Sequence, residues 1–302
     1  MISFFKKHPR LARAATLLSA HLLLSAYTLQ PDGSINWQFL QNPYAEKHDA
    51  AGIPLNLKDQ PRQSYPESFW ESLSAALPEG KHIDLHNPGA IVHDEKANIY
   101  LAEEGDVFVS FLHEGAGYRN SFGYFVYDPQ NPPKSPEALS ELIVFPNASY
   151  ANSGGSARGL NSGDTLSLGR FPANTHMGFV VVANGFETKN GVNPGQSRQE
   201  IFYTLKNLNP EPQSELQAHT VLLYDEASQS VAVGMEDMPR TRSGSDHDFN
   251  DIVFSVKSNP PPPEAIDASR LNPVLKYATA MVTGYWMPLM LTPRIPSGPL
   301  ID

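Results

Sequence analysis

The sequence contains no cysteine, which excludes disulfide bonds, thiol catalysis and metal centres ligated by cysteine thiolates. Core packing must then supply the stability, and a bound metal can add its binding free energy to it. Basic residues are also few, because 22 Lys and Arg stand against 32 Asp and Glu, for a formal net charge of −10. Such a surface repels phosphate backbones, so we expect no nucleic-acid partner and a preference for cations.

A hydrophobic run long enough for a membrane span is missing near the N-terminus. Residues 14–26 are apolar, but they fall short of the ~20 residues that a spanning helix needs. They follow four basic residues between positions 6 and 13, which is the layout of a secretory signal peptide. We therefore predict a signal peptide over residues 1–26 and an exported protein, located in the periplasm, at the cell surface or outside the cell. Leu24 stands where a small residue usually precedes the cleavage site, so an uncleaved anchor and an ordinary N-terminal helix remain open.

Proline and glycine, in contrast, are frequent, with 27 and 21 residues. Between residues 81 and 258, short apolar runs alternate with turn clusters at the spacing of a β-sandwich or jelly roll, without the helices that βαβ units require. We predict strands over residues 99–101, 107–112, 121–127, 141–145, 165–168, 176–183, 201–205, 220–224, 230–235 and 252–257.

The segments on either side of these strands read differently. Residues 27–80 lack clear periodicity and predict an irregular N-terminal extension with a short helix near residues 67–77. Four consecutive prolines within residues 259–264 cannot continue a central strand, so they predict a stiff linker. Residues 265–302 predict a partly helical C-terminal tail, which packs back on the domain or contacts a membrane or partner. The predicted fold class is thus all-β, with a β-sandwich domain at residues 81–258.

The most informative segment lies between the last two predicted strands. Asp246, Asp248 and Asn250 are spaced two apart and Asp251 follows directly, so four oxygen-bearing side chains can converge if the backbone curves. Ca²⁺ takes six to eight oxygen ligands, carboxylates foremost. Mg²⁺ demands a tighter octahedral geometry and zinc prefers His or Cys ligands, so calcium is the natural candidate.

This spacing imitates the start of an EF-hand, but two required positions differ. Asp251 stands at the glycine position and Lys257 stands where a bidentate Glu is required, so an EF-hand is excluded. The alternative to a metal site is a solvated turn whose Asp and Asn side chains bind their own backbone. Glu236 and Asp237 add further negative charge at the end of the incoming strand. Without a cation, this repulsion would raise carboxylate pKa values and cost stability, which favours the metal.

Four segments carry a resemblance to a known family: Glu236-Asp237, Gly244-Ser-Asp-His-Asp-Phe-Asn-Asp-Ile-Val-Phe254 and, less specifically, residues 111–127 and 178–185. Together they resemble the bacterial domain of unknown function 4114, which is found in secreted and surface proteins and is related to the C-terminal domain of the LruC proteins. The resemblance covers roughly residues 85–257.

The resemblance implies a secreted β-sandwich that carries calcium and has no established catalytic activity. It also implies metal ligands at the positions of its acidic signature and in the neighbouring strand pair, namely Glu236, Asp237, Asp246, Asp248, Asp251, Glu114 and Asn120. We therefore predict a calcium-binding structural or binding module, and not an enzyme.

A different kind of site is suggested by His82, Asp84 and His86, with His93 nearby. On one face of a strand these residues would offer two imidazoles and a carboxylate, a possible zinc arrangement. A metal-dependent hydrolase is the alternative function that this pattern indicates, although the general base that hydrolysis needs is not identifiable.

A third function is suggested by aromatic residues. Tyr118 and Tyr124 belong to a cluster whose flat faces can bind sugars by stacking, which would make the domain a carbohydrate-binding module. Strand alternation places Phe122 and Tyr124 on one face and Phe125 on the other, so at least one set should be core. The partners that these alternatives predict are a glycan or another surface protein.

Overall fold

The fold is that of a computed structural model, which describes residues 26–29, 35–38, 47–91, 98–139, 141–151, 158–189, 191–192, 200–262 and 264–267, the first two ranges as backbone only. The predicted signal peptide up to residue 25, His93 and the tail beyond residue 267 lie outside the described residues and stay predictions. Within the described residues, no helix has the length and the apolar character needed to cross a membrane.

Strands dominate the described chain. They are β1 (Ala26–Leu29), β2 (Ile35–Gln38), β3 (Ile99–Leu101), β4 (Gly105–Glu114), β5 (Ser121–Tyr127), β6 (Leu142–Phe145), β7 (Thr165–Phe171), β8 (Thr175–Val182), β9 (Phe186–Glu187), β10 (Gly191–Val192), β11 (Ile201–Tyr203), β12 (Thr220–Asp225), β13 (Ser230–Met235) and β14 (Ile252–Asn259). The helices are α1 (Glu67–Ala76), α2 (Ile83–His86) and 3-10 turns at Leu55–Asp59, Pro88–Ala90, Pro136–Ala138, Lys206–Leu208 and Ser214–Leu216. Each of the ten predicted strands has its counterpart here, and the all-β prediction is confirmed.

Ten of the strands in the described chain form two five-stranded sheets, while β1 pairs with β2 and β9 pairs with β10 in separate two-stranded sheets. The first sheet has the order β11-β8-β5-β6, with β3 pairing to β8, and the second has the order β12-β13-β14-β4-β7. The strand pairs within both sheets are antiparallel. Since β4 belongs to the second sheet and β5 to the first, the chain crosses between the sheets at residues 115–120. This crossing lies at the end of the sandwich where β14 begins.

The core between the sheets is rich in phenylalanine. Ile252, Phe254 and Val256 alternate into it along β14, as the sequence pattern predicts. The ring of Phe254 stacks on that of Phe122 from the other sheet, with ring centroids 3.7 Å apart. This contact joins the two sheets near the end at which the acidic residues lie.

Helix α1 adds a layer on the outer face of the second sheet. Its apolar side chains, among them Phe69 and Leu73, pack against Leu223 and Val253, which point away from the inter-sheet core. The helix predicted near residues 67–77 is therefore present. That part of the N-terminal extension is a packed element of the fold, because the outer face of the sheet carries apolar residues that must be covered.

The chain also returns to the sandwich after its prolines. The amide N–H of Ala102 donates to the carbonyl of Ala265 at 2.7 Å, and that of Asp267 donates to the carbonyl of Tyr100 at 3.0 Å. Ala265 and Ile266 are fully buried. The first residues of the predicted tail thus pack beside β3.

Candidate metal centre

The acidic loop, residues 236–251, joins β13 to β14. Its ends are fixed by the sheet register, because Met235 pairs with Ile252, which pairs on its other side with Glu114 at the end of β4. The loop therefore lies next to the crossing from β4 to β5. Strands flank it on both sides, whereas an EF-hand loop is flanked by helices, so the exclusion of an EF-hand is confirmed.

Two acidic side chains at the start of the loop are buried. Glu236 is 1% exposed and Asp237 is 2% exposed. The Ser245 hydroxyl donates to Oε1 of Glu236 at 2.5 Å, but the buried Oε2 has no hydrogen-bond partner among the described residues. Nδ2 of Asn120 donates to Oδ2 of Asp237 at 2.6 Å. One buried carboxylate oxygen is thus left without compensation, which is costly unless a cation meets it.

Two aspartates at the end of the loop are oriented by backbone amides. Oδ1 of Asp248 accepts the N–H of Asn250 at 3.1 Å, and Oδ2 accepts the N–H of Gly80 at 2.8 Å. Oδ2 of Asp251 accepts the N–H of Asp237 at 2.8 Å. Asp251 therefore ties the two ends of the loop together, and Asp248 connects the loop to the turn that follows α1.

The backbone between these aspartates is strained. His247 and Phe249 have φ values of 55° and 58°, a left-handed conformation that costs a non-glycine residue about 1–2 kcal/mol. Neighbouring groups hold both residues, since the Phe249 side chain is fully buried and the N–H of Ile83 donates to the carbonyl of His247 at 2.9 Å. The two bends fold the loop back on itself.

As a result, three carboxylates converge. Oxygens of Glu79, Asp246 and Asp248 lie within 4.8 Å of one another, with Glu79 exposed, Asp246 half-buried and Asp248 buried. Sequence reasoning missed Glu79, because it follows α1 and stands far from the acidic loop along the chain. Only the packing of α1 on the second sheet brings it there.

The electrostatics of the loop reflect burial first and repulsion second. Burial raises the pKa of Glu236 to about 8, and repulsion by Asp246 and Asp237 adds to this effect. Burial likewise raises the pKa of Asp237 to about 6, that of Asp248 to about 6 and that of Asp251 to about 10. The described surroundings therefore do not compensate the negative charge of these groups when they are ionised.

The arrangement fits a hard cation. Its donor atoms are carboxylate oxygens, which Ca²⁺ prefers, whereas zinc sites are built from imidazole and thiolate. The unpaired, buried Oε2 of Glu236 is an atom that a cation would satisfy. Among the described residues, Asp246 and Asp248 converge with Glu79, and these are the groups that would hold it. Glu236, Asp237 and Asp251 lie in the same loop but outside this group of three, so their part as ligands stays a prediction.

The remaining predicted ligands have other roles in this structure. Glu114 is buried, its Oε2 accepts the N–H of Tyr150 at 3.2 Å, and its charge raises the pKa of Asp237. Asn120 positions Asp237 through its amide nitrogen and accepts the N–H of Asn184 at 2.9 Å. Asn250 donates to the carbonyl of Leu77 at 3.4 Å. Glu114 lies beside the acidic loop, while the two asparagines support its geometry.

The strand predicted for the histidine cluster is wrong. Residues 83–86 form the single-turn helix α2, because the buried Ile83 side chain packs against the second sheet. The turn separates His86 from the other predicted ligands, and Nε2 of His86 lies 3.3 Å from the carbonyl oxygen of Ala75. His93 lies outside the described residues. His82 and Asp84 instead come together with a residue of the acidic loop.

That residue is His247. Its ligand atoms and those of His82 and Asp84 lie within 4.8 Å of one another. However, the Arg240 guanidinium donates to Oδ2 of Asp84. Burial opposes the ionisation of Asp84, but Arg240 and His247 hold its pKa below the ordinary value. Burial and the charge of Arg240 lower the pKa of His247. One oxygen of the Asp84 carboxylate is thus already paired with a cationic side chain, and the hydrolase stays a prediction.

The predicted sugar platform is wrong for Tyr124. This side chain is 8% exposed and lies in the inter-sheet core, where it makes an edge-on contact with Phe171. Alternation along β5 directs Phe122 and Tyr124 to the same buried face. Tyr118 is half-buried and packs against the same core. The two tyrosines therefore do not form a flat exposed surface.

Comparisons with known proteins bear on the identity of the sandwich. No curated protein and no solved structure matches the chain. A family model described as domain of unknown function (DUF4114) matches residues 171–259, a range that contains β8, β11 to β14 and the whole acidic loop. The resemblance predicted for residues before 171, and the relation to the LruC proteins, stay predictions. Residues 171–259 thus match the domain of unknown function 4114, as the acidic signature predicts, in the part of the sandwich that holds the acidic loop.

Proposed function

We propose that this protein is an exported calcium-binding β-sandwich that acts as a structural or binding module at the cell surface or in the periplasm, and not as an enzyme. The observation that carries the proposal is the buried Oε2 of Glu236, unpaired among the described residues. It stands within a loop that also contains Asp237, Asp246, Asp248 and Asp251.

A hydrogen-bonded turn without metal is the alternative, and it explains only some of these contacts. Oδ1 of Asp248 accepts the N–H of Asn250 two residues later, as such a turn requires. It does not explain why Glu236 and Asp237 are buried together, since like charges in a buried place raise the free energy of the fold. A divalent cation would offset this repulsion.

In this proposal, calcium has a mechanical role. The acidic loop connects β13 and β14, and β14 pairs with β4, so a cation held by the loop ties three strand ends together. Removal of the cation should loosen this end of the sandwich before the rest, because the phenylalanine core does not depend on it. A module of this kind would present its surface to a glycan or to another surface protein, which stay predicted partners.

The direct test of the site is isothermal titration calorimetry of the full-length, metal-free protein. We expect saturable calcium binding and weaker magnesium binding, because the loop supplies many oxygens without a tight octahedral frame. Asp246→Asn/Asp248→Asn should remove the calcium heat, since two of the converging carboxylates are lost. Asp59→Asn/Asp128→Asn, which neutralises two exposed aspartates elsewhere, is the matched control. Calcium binding that is unchanged in the loop variant would refute the site.

Export has its own test. Residues 1–30 are fused to alkaline phosphatase, which is active only where its disulfide bonds form, outside the bacterial cytoplasm. We expect an active fusion, and an inactive one when Leu23→Arg/Leu24→Arg interrupts the apolar run of the predicted signal. An inactive fusion with the unchanged leader would contradict export.

A further inference from the structure

The turn that follows α1 lies directly on the acidic loop. Four hydrogen bonds join them. Nδ2 of Asn250 donates to the carbonyl of Leu77, and the N–H of Gly80 donates to Oδ2 of Asp248. The N–H of Ile83 donates to the carbonyl of His247, and the Arg240 guanidinium donates to Asp84. All four acidic-loop partners fall within residues 240–250, which contain the strained positions 247 and 249. The conformation of the loop and the placement of the turn therefore depend on each other.

Glu79 lies in this turn, close to two carboxylates of the acidic loop. Its carboxylate oxygen lies within 4.8 Å of those of Asp246 and Asp248, and like charges at this distance repel one another. Yet the next residue, Gly80, is held by Asp248 at 2.8 Å. The turn thus brings a third carboxylate close to two others. A divalent cation bound between them would offset their mutual repulsion, because each carboxylate is attracted to the cation.

A second observation points to a ligand at the same place. Glu236, 1% exposed, has an unpaired Oε2 among the described residues, and the charges of Asp246 and Asp248 both act on its carboxyl group. The Ser245 hydroxyl donates to Oε1 of Glu236, so this carboxylate lies beside the segment that carries Asp246 and Asp248. A buried carboxylate with an unsatisfied oxygen and the exposed carboxylate of Glu79 thus both interact with Asp246 and Asp248.

We infer that Glu79 is a cation ligand supplied from outside the β-sandwich, so that the bound cation clasps the turn at residues 77–84 onto the acidic loop. This inference rests on the proposed calcium site and adds to it a ligand that precedes the DUF4114 match at residues 171–259. Apolar packing holds α1, Leu77 and Ile83 on the sheet, so cation removal frees the exposed residues 79–82 of the turn while α1 stays folded.

Proteolysis of the full-length protein by a lysine-specific protease that needs no calcium tests the inference. Lys81 is exposed within the turn, and mass spectrometry reports cleavage after it separately from other sites. We expect calcium to slow cleavage at Lys81 by about tenfold or more. Calcium binds the closed turn more tightly than the open turn, so saturating calcium shifts the equilibrium toward the closed turn. Glu79→Gln should lose most of this protection. Glu71→Gln, an exposed change on α1, should keep it.

The outcomes separate the inference from the proposed function. If calcium protects Lys81 equally in Glu79→Gln and in the unchanged protein, Glu79 is not a ligand and the inference fails. If calcium stabilises the protein thermally but leaves cleavage at Lys81 unchanged, the clasp fails while the calcium site stands. If calcium has neither effect, the proposed function itself fails and the inference fails with it. Matching circular dichroism spectra of both variants show that the substitutions leave the fold intact.

Discussion

Calcium added to the metal-free, full-length protein is expected to raise the midpoint of thermal unfolding. A ligand that binds only the folded state stabilises it by roughly 2.7 kcal/mol when its free concentration is 100 times its Kd. For a folded domain of about 150–250 residues, such a change corresponds to a rise of roughly 5–10 °C. The rise should be large because the acidic loop and the turn at Glu79 belong to the same packed end of the sandwich. Differential scanning fluorimetry with calcium, and then with excess chelator, measures it.

Asp248→Asn/Asp251→Asn should abolish this calcium-dependent rise. Asn keeps the shape of Asp, and its single carbonyl oxygen can accept the N–H of Gly80 at position 248 or that of Asp237 at position 251. The N–H of Asn250 then loses its acceptor on residue 248. In chelator, the variant should be folded, because Asn has no ionised form whose burial and repulsion would oppose folding. Asp59→Asn/Asp128→Asn should show the full rise. A variant that still gains stability from calcium would exclude Asp248 and Asp251 as ligands.

The second large effect is on the pH dependence of the metal-free protein, whose midpoint should fall as the pH rises from 5 to 8. In the fold, Glu236 titrates at about 8 and Asp237 and Asp248 at about 6, with burial as the main cause, whereas unfolded carboxyl groups titrate near 4. Above about pH 4 the folded state therefore binds more protons than the unfolded state. Stability then decreases with rising pH, by about 1.4 kcal/mol per pH unit for each extra proton.

Calcium should flatten or reverse this dependence, because it stabilises the ionised carboxylates and releases their protons on binding. Thermal scans of resin-treated protein across the pH range, with and without calcium, provide the measurement. Asp248→Asn/Asp251→Asn, which lacks two of the titrating groups, should show a shallower dependence in the metal-free state. A metal-free midpoint that stays constant or rises between pH 5 and 8 would mean that these carboxyl groups ionise normally within the fold.

Much of the fold was predictable from local patterns. The run at β5, residues 121–127, and that at β13, residues 230–235, have the predicted bounds in the structure. Their β-branched and aromatic residues stand between turn clusters, and this signal lies within a few residues of each strand. The alternation of Ile252, Phe254 and Val256 likewise predicted which side of β14 faces the core.

The predictions that were wrong depended on which neighbours a residue meets in space. Residues 82–86 can alternate as a strand or turn as a helix, and the burial of Ile83 against the second sheet selected the helix. The sequence allows Tyr124 to be an exposed, sugar-binding aromatic residue, but its face of β5 is covered by the second sheet. In both cases the local sequence permits two structures, and tertiary packing chose between them.

For the candidate metal centre, the sequence by itself determined the chemistry: Glu236, Asp237, Asp246, Asp248 and Asp251 are a local run of oxygen donors in a cysteine-free, acidic chain. Only the tertiary structure decided which oxygens meet. The approach of Glu79 arises from the packing of α1 and its following turn against the second sheet, and Oε2 of Glu236 is buried without a hydrogen-bond partner among the described residues. A contact between residues so far apart in the chain leaves no local pattern, because it is set by the burial of apolar faces and not by the spacing of the acidic residues.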